Sequence, residues 1–384
     1  MKRKVRAVNL TLFLAVLITA CGAQDPGPRD DSGGPGLACT EPNVRVEIPD
    51  GNLAARVRTT LSVPEGADLE CQDMWRLTGL NARNRGIQSV EGLQHAVNLE
   101  ELNLRQNEIS SITPLSNLTS LTELSLGENA LGSIAAVANL TGLTYLDFGD
   151  TQVSDISPLA SLTGLQYLYA DSLGITDIGV LANLSNLREV GMSYNEISDL
   201  GPLADLTDLS MIFMYENQIS DLTPLAGLSK LTHVNLWTNE IADISPLAGL
   251  TDLRSLILDG NQIVDVSPIA ALTDLVELWL NDNQISDIGP LEPLIWLETL
   301  ELASNQISDV GAVHDMRRLT RLDLRDNVIS GIDPVVQNSF LGAGDDIYLE
   351  SNCLDLTPGS GAHTAIEVLL GRSANVRYEP QKEC

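Results

Sequence analysis

Eight aromatic residues recur at related places in this chain: Tyr145, Tyr167, Tyr169, Tyr194, Phe213, Tyr215, Trp237 and Trp279. Tyr145 and Tyr167 lie 22 residues apart, as do Tyr215 and Trp237. Rings gathered on one surface do recognition chemistry. They bury much area at little entropic cost and stack on apolar groups, cations and sugar rings. Met211, His233 and Ile257 occupy equivalent places. Acids surround them: Glu101, Glu123, Glu128, Asp147, Asp150, Asp171, Glu189, Glu216, Asp259, Glu277, Asp282, Glu301, Asp323 and Asp326, opposed by Arg105, Arg321 and Arg325. Together such acids would select a basic partner. Singly, each is expected to be a solvated charge. Catalysis has no comparable support. His95, His233, His314 and His363 are scattered, and no H-E-x-x-H, G-x-S-x-G or G-x-x-x-x-G-K-[ST] occurs.

The elements that position these rings follow from a repeat. Residues 209–230 read LSMIFMYENQISDLTPLAGLSK, and the pattern restarts at Leu99, Leu121, Leu143, Leu165, Leu187, Leu209, Leu231, Leu253, Leu275, Leu297 and Leu319. A fixed period of this length carrying L-x-x-L-x-L-x-x-N-x-I is the signature of a leucine-rich repeat solenoid. In each unit L-x-x-L-x-L forms a short strand whose alternate residues enter the core, and successive strands pair in parallel. The third, fifth, seventh and eighth positions then face outward on one curved sheet. Chance would place about two of the chain's 15 aromatics on that face; eight are there. Gly191 falls between Tyr169 and Phe213 in one column, and bare backbone between rings predicts a slot for a partner side chain or a sugar.

The chain leaves each strand at an Asn: Asn107, Asn129, Asn195, Asn217, Asn239, Asn261, Asn283, Asn305 and Asn327. An amide that donates and accepts can satisfy backbone groups stranded by the turn. Thr151 and Leu173 interrupt this ladder, which predicts local distortion in units 143–164 and 165–186. The return path, typically S-D-I-x-P-L-x-x-L-T, is too short and Pro-rich for long helices, so turns and 3₁₀ pieces are expected. Its Asp column (Asp155, Asp177, Asp199, Asp221, Asp243, Asp265, Asp287, Asp309) suits capping of the following turn. The D-x-D-x-D-G pattern of a calcium loop is absent. No metal and no cofactor is expected.

A net charge of −30 argues against gripping nucleic acid or an anionic lipid surface. The five cysteines fall outside the regular repeats and form no C-x-x-C. They read as one disulfide at each end, Cys39 with Cys71 and Cys353 with Cys384, leaving Cys21 for another purpose. Residues 1–20 combine a basic start with an apolar run too short for a comfortable span, as in a secretory signal. The ending I-T-A-C resembles a bacterial lipobox, which implies lipidation of Cys21. Gly22 resembles the residue after that Cys in outer-membrane lipoproteins. Residues 21–38 are a flexible Gly/Pro/Asp tether. Residues 39–76 form an N-terminal cap, with Asp50 capping a helix that buries Leu53, Val57 and Leu61. About twelve repeats fill 77–340. Residues 341–384 supply a last strand, with Asn352 as final ladder residue, and a C-terminal cap with a helix over 362–370 and an edge strand near 376–378.

The repeats LTHVNLWTNEIADISPLAGLTD and LVELWLNDNQISDIGPLEPLIW resemble those of internalin-type bacterial proteins, and the likeness covers about residues 77–355. The segments PDGNLAARVRTTL and GDDIYLESNCLDLTPGS are similar to caps of that class. The resemblance implies an α/β solenoid: a right-handed leucine-rich repeat arc with a parallel concave sheet, a 3₁₀/turn convex side and capped ends. It also implies a binding role without naming a partner. The expectation is therefore a non-enzymatic, exported, lipid-anchored envelope protein that binds a protein or peptide of basic character on its aromatic face. A glycan ligand, or a spacer with no ligand, is the alternative.

Overall fold

The computed structural model describes residue 39 and residues 41–384. The expected signal segment 1–20, the expected lipidation site Cys21 and the expected tether to residue 38 lie outside the described residues.

Each repeat folds as one strand and one return turn because its apolar positions alternate across the strand and then recur around the turn. In the unit starting at Leu209 the strand is Met211–Phe213. Leu209, Ile212, Met214, Ile219, Leu222, Leu225 and Leu228 are all buried. Burying a side chain of this size is worth about 1.5–3 kcal/mol, and the set repeats in every unit. The strands pair in parallel with a constant offset of one repeat, as in His233↔Met211 and Val234↔Ile212. They make one 14-stranded sheet from Gly79–Asn81 to Asn375–Arg377. At strand spacing that is a surface about 60 Å long.

The Asn ladder holds each strand exit. Asn217 Nδ2 donates to the carbonyls of Met192 (3.0 Å) and Met214 (3.2 Å), while its Oδ1 accepts from the Ile197 amide (2.9 Å). One side chain thus ties a repeat to itself and to the repeat before it. At the interruption, the Thr151 hydroxyl donates to the Phe148 carbonyl (2.9 Å) and accepts from the Val153 amide (3.4 Å). Leu173 offers neither function, and Gly174 turns there with φ +69°. The expected distortion stays in the turns: Tyr145–Asp147, Tyr167–Tyr169 and Glu189–Gly191 keep the common register. Backbone bonds along the strands hold it without the amide.

The convex side is a series of 3₁₀ turns such as Thr223–Leu225, with Pro in the first turn. Every Asp of the column accepts from the amide two residues on, from Asp155 to Ser157 (2.9 Å) through Asp309 to Gly311 (2.8 Å). At the N-terminal end the helix Gly51–Leu61 is capped by Asp50, which accepts from the Asn52 and Leu53 amides. The same carboxylate accepts from Gln88 (2.7 Å), fastening the cap to the first repeat. Disulfides join Cys39 to Cys71 and Cys353 to Cys384, with Cα separations of 5.5 and 5.7 Å. The terminal helix Gly361–Gly371 covers the other end, and Asn375–Arg377 pairs with Asp346–Tyr348 as one strand more. No helix among the described residues is long and apolar enough to cross a membrane.

Candidate ligand-binding face

The parallel register stacks outward residues into columns. Tyr145, Tyr167, Glu189, Met211, His233, Ser255 and Glu277 form one. Asp147, Tyr169, Gly191, Phe213, Asn235, Ile257 and Trp279 form the next. Tyr215 and Trp237 lie beyond each strand end. Phe213, Tyr215 and Trp237 are half-buried on the outward side, whereas Phe148 is the large aromatic sealed in the core.

The rings gather into two groups. Tyr145 lies 6.5 Å from Tyr167 and 5.6 Å from Tyr169 between ring centroids. Tyr215 lies 5.1 Å from Tyr194, edge to face, and 5.8 Å from Trp237. Phe213 stands between them in the sheet, and Ile257 and Trp279 continue its column toward the C-terminal end. The Trp279 Nε1 proton is buried without an acceptor among the described residues. His233 has Nδ1 2.9 Å from the Thr232 hydroxyl. Burial holds the Tyr145 and Tyr215 hydroxyls up at about 12. They are neutral donors at any physiological pH.

The slot at Gly191 is closed. A Cβ added there would stand 2.8 Å from Tyr169 Cδ1, because that ring lies across the bare backbone. The Tyr169 hydroxyl donates to Glu189 Oε1 at 2.5 Å and pins it. Gly191 serves its neighbour's ring instead of a ligand.

The acids divide, and here too the sequence expectation needs correction. Asp147, Asp259, Glu301 and Asp323 are buried, not solvated. Arg105 donates to Asp147 (2.6 Å) and to Glu128 (3.0 Å). Arg321 binds Glu301, and Arg325 binds Asp323. Asp171 and Asp259 accept the amides of Ser193 (2.6 Å) and Asn281 (2.7 Å) in the following repeat, and Asn281 does the same for Ala303 (2.7 Å). Burial raises Asp171 to about 6 and Asp259 to about 7, against the pull of those amides. Asp147 and Glu301 shift upward, also through burial. Glu101, Glu123, Asp150, Asp282 and Asp326 stay exposed and supply the outward negative charge.

One property of this face is absent from the sequence expectations. The eighth position of every unit is left-handed: Gln106, Glu128, Asp150, Ser172, Tyr194, Glu216, Thr238, Asp282, Ser304 and Asp326 have φ of 53–61°, with Gly260 at 63°. Small polar residues and Gly tolerate this; bulky and β-branched ones resist it. Tyr194 holds φ 55° and is 42% exposed. The signal was present in the Gln/Glu/Asp/Ser/Thr/Gly composition of the column, against which the single aromatic, Tyr194, stands out.

The family model "Leucine Rich repeats (2 copies)" matches residues 97–139, 119–161, 185–227 and 251–293, and a single-repeat model matches 294–313. A crystal structure of an internalin (inlF) from Listeria monocytogenes superposes with a TM-score of 0.80 at 32% identity, over 87% of this chain and 96% of that one. The chain belongs to the internalin family. A second Listeria monocytogenes internalin, internalin C2 (inlC2), is 37% identical over 59% of this chain and 100% of its own, with a TM-score of 0.55. The plant peptide hormone receptor RGFR1 in complex with RGF2 shares the fold at 17% identity and a TM-score of 0.62, over 76% of this chain and 53% of that one. No curated protein matches the sequence. In this internalin the open sheet face, its columns and its buried ion pairs are the features a partner would meet. Among the described residues no three His, Cys, Asp or Glu side chains converge as a metal site requires.

Proposed function

We propose that this internalin is a non-enzymatic cell-envelope protein that binds a protein or extended peptide in the hollow of its sheet. Tyr145, Tyr167, Tyr169, Tyr194, Met211, Phe213, Tyr215, His233, Trp237, Ile257 and Trp279 are the contact residues. The observation that carries the reading is Tyr194: a bulky ring held at φ 55°, exposed, and packed edge to face on Tyr215. Left-handed backbone costs a non-glycine residue about 1–2 kcal/mol, and such outliers persist where function uses them. The exposed acids favour a partner with Lys or Arg. Two disulfides suit an oxidising compartment, in keeping with an export signal over 1–20 and a lipid anchor on Cys21. Binding alone, without catalysis, cofactor or metal, is the assigned activity. The filled gap at Gly191 removes a slot that would have served a partner side chain or a glycan alike.

The test is capture from envelope extract by wild type and by a variant with Tyr194, Phe213, Tyr215 and Trp237 changed to Ser. Capture of a defined protein should disappear in the variant while the unfolding midpoint moves by only a few degrees. Raising salt should weaken capture of a basic partner steeply and of a neutral glycan little. If wild type captures nothing, the chain is a spacer.

A further inference from the structure

The residue just before the first Leu of each unit forms a column along one flank of the solenoid. From Asn98 to Asp274 that column holds only Asn, Ser, Gly, Asp and Lys. It then changes abruptly to Trp296, Arg318 and Phe340 in three successive units. Trp296 is 43% exposed and Phe340 57% exposed. The Arg317 amide donates to the Ile295 carbonyl (2.9 Å), and Asn338 Nδ2 donates to the Met316 carbonyl (2.9 Å), so these units stack like the others. Trp296 and Phe340 thus stand two units apart in this column. Arg318 lies between them, its guanidinium 5.2 Å from the centre of the Trp296 ring, and also reaches Glu298 at 3.6 Å. Arg317 is exposed and has no carboxylate partner among the described residues.

Exposed Trp and Arg side chains grouped with a second aromatic are the composition of an interface centre, not of a solvated flank. Folding does not explain the change, because nine preceding units close with polar or small residues at the same place. We infer that this flank is a second docking surface, and that its occupant is a protein segment in which apolar side chains are flanked by carboxylates. Charge selects that occupant. In a chain of net charge −30, Arg317 adds an exposed, unpaired positive charge next to the Arg318–Glu298 pair and the exposed rings. A second copy docked symmetrically would set Arg317 and Arg318 against their own images.

The experiment uses the full chain and a fluorescein-labelled synthetic peptide of alternating Leu and Glu, with a Leu/Lys sister as control. The acidic peptide should bind saturably at this flank, whereas any binding of the Lys peptide to the acid-rimmed hollow should survive Arg317→Glu. Trp296→Ser, Phe340→Ser and Arg317→Glu should each weaken binding about tenfold or more. Arg317→Glu alters one exposed, unpaired side chain and keeps the test valid if a ring variant unfolds. Tyr215→Ser, in the hollow, should leave peptide binding unchanged, which separates this surface from the proposed one. Acidic-peptide binding that Arg317→Glu leaves unchanged would overturn the inference. So would preference for vesicles of phosphatidylglycerol and phosphatidylcholine, a dimer in sedimentation velocity that Trp296→Ser dissolves, or no saturation by about 1 mM.

Discussion

The two sides of each strand obey different rules. Toward the interior, the unit starting at Leu209 and the unit starting at Leu231 place the same shapes at the same depths, down to Asn217 and Asn239 making equivalent bonds. Toward the hollow, the matching residues are Met211 and Phe213 in one unit and His233 and Asn235 in the next. Neighbouring repeats must fit one another inside, so the interior tolerates one solution. Outside, a side chain answers only to its column neighbours and to whatever arrives from solution.

The largest expected effect strikes the interior. Asn239→Ala would strand the Met214 and Leu236 carbonyls and the Ile219 amide. A loss of about 3 kcal/mol is expected, measured by urea unfolding. An effect below about 1 kcal/mol would mean the backbone alone holds the turn, as it does near Leu173.

The buried acids blur the division, since they lie on the outward side yet behave as interior groups. The Asp259 carboxyl titrates near 7 when folded and near 3.8 when not. The folded state therefore binds the proton more tightly. The stabilisation is fully present below about pH 4 and is lost progressively as pH rises to about 7. Asp171 and Glu301 act in the same direction. Asp259→Asn keeps an acceptor for the Asn281 amide and should recover about 2 kcal/mol at pH 8 and little at pH 4. Thermal unfolding at both values checks it; a gain equal at both pH values would show that charge is not the cause.

Gly191→Ala should cost about 1–2 kcal/mol, because its methyl meets the Tyr169 ring. Pairing it with Tyr169→Ala should relieve part of the loss, and strictly additive costs in the double-mutant cycle would deny the contact.

Much of this was legible in the sequence. The interior is periodic, so the solenoid, the parallel register, the Asn ladder and the Asp-capped turns can be read from composition by position. Asp50 announced its helix because a capping carboxylate and a Leu53/Val57/Leu61 face are local features. Depth on the outward side was not legible. Whether Asp147 meets water or Arg105 depends on a residue 42 positions away, two units along. The fate of Gly191 likewise depends on the rotamer of Tyr169, which no spacing encodes.

The smallest effect sharpens the comparison most. Tyr194→Asn replaces a ring with a residue that accepts left-handed backbone. It should raise stability by about 0.5–1 kcal/mol while weakening ligand capture. Loss of both together would return Tyr194 to a purely structural role.

The ladder gap at Thr151 and Leu173 has a mechanical consequence. Each unit is bonded chiefly to its immediate neighbours, so tension applied at the two ends passes through every junction in series. The junctions of unit 143–164 with its two neighbours lack the Asn tie, since Thr151 bonds only within its own unit and Leu173 has no amide, and Asn195 restores the tie one junction further on. Stretched between its ends, the molecule should part first at one of those two junctions, on one side or the other of Tyr145.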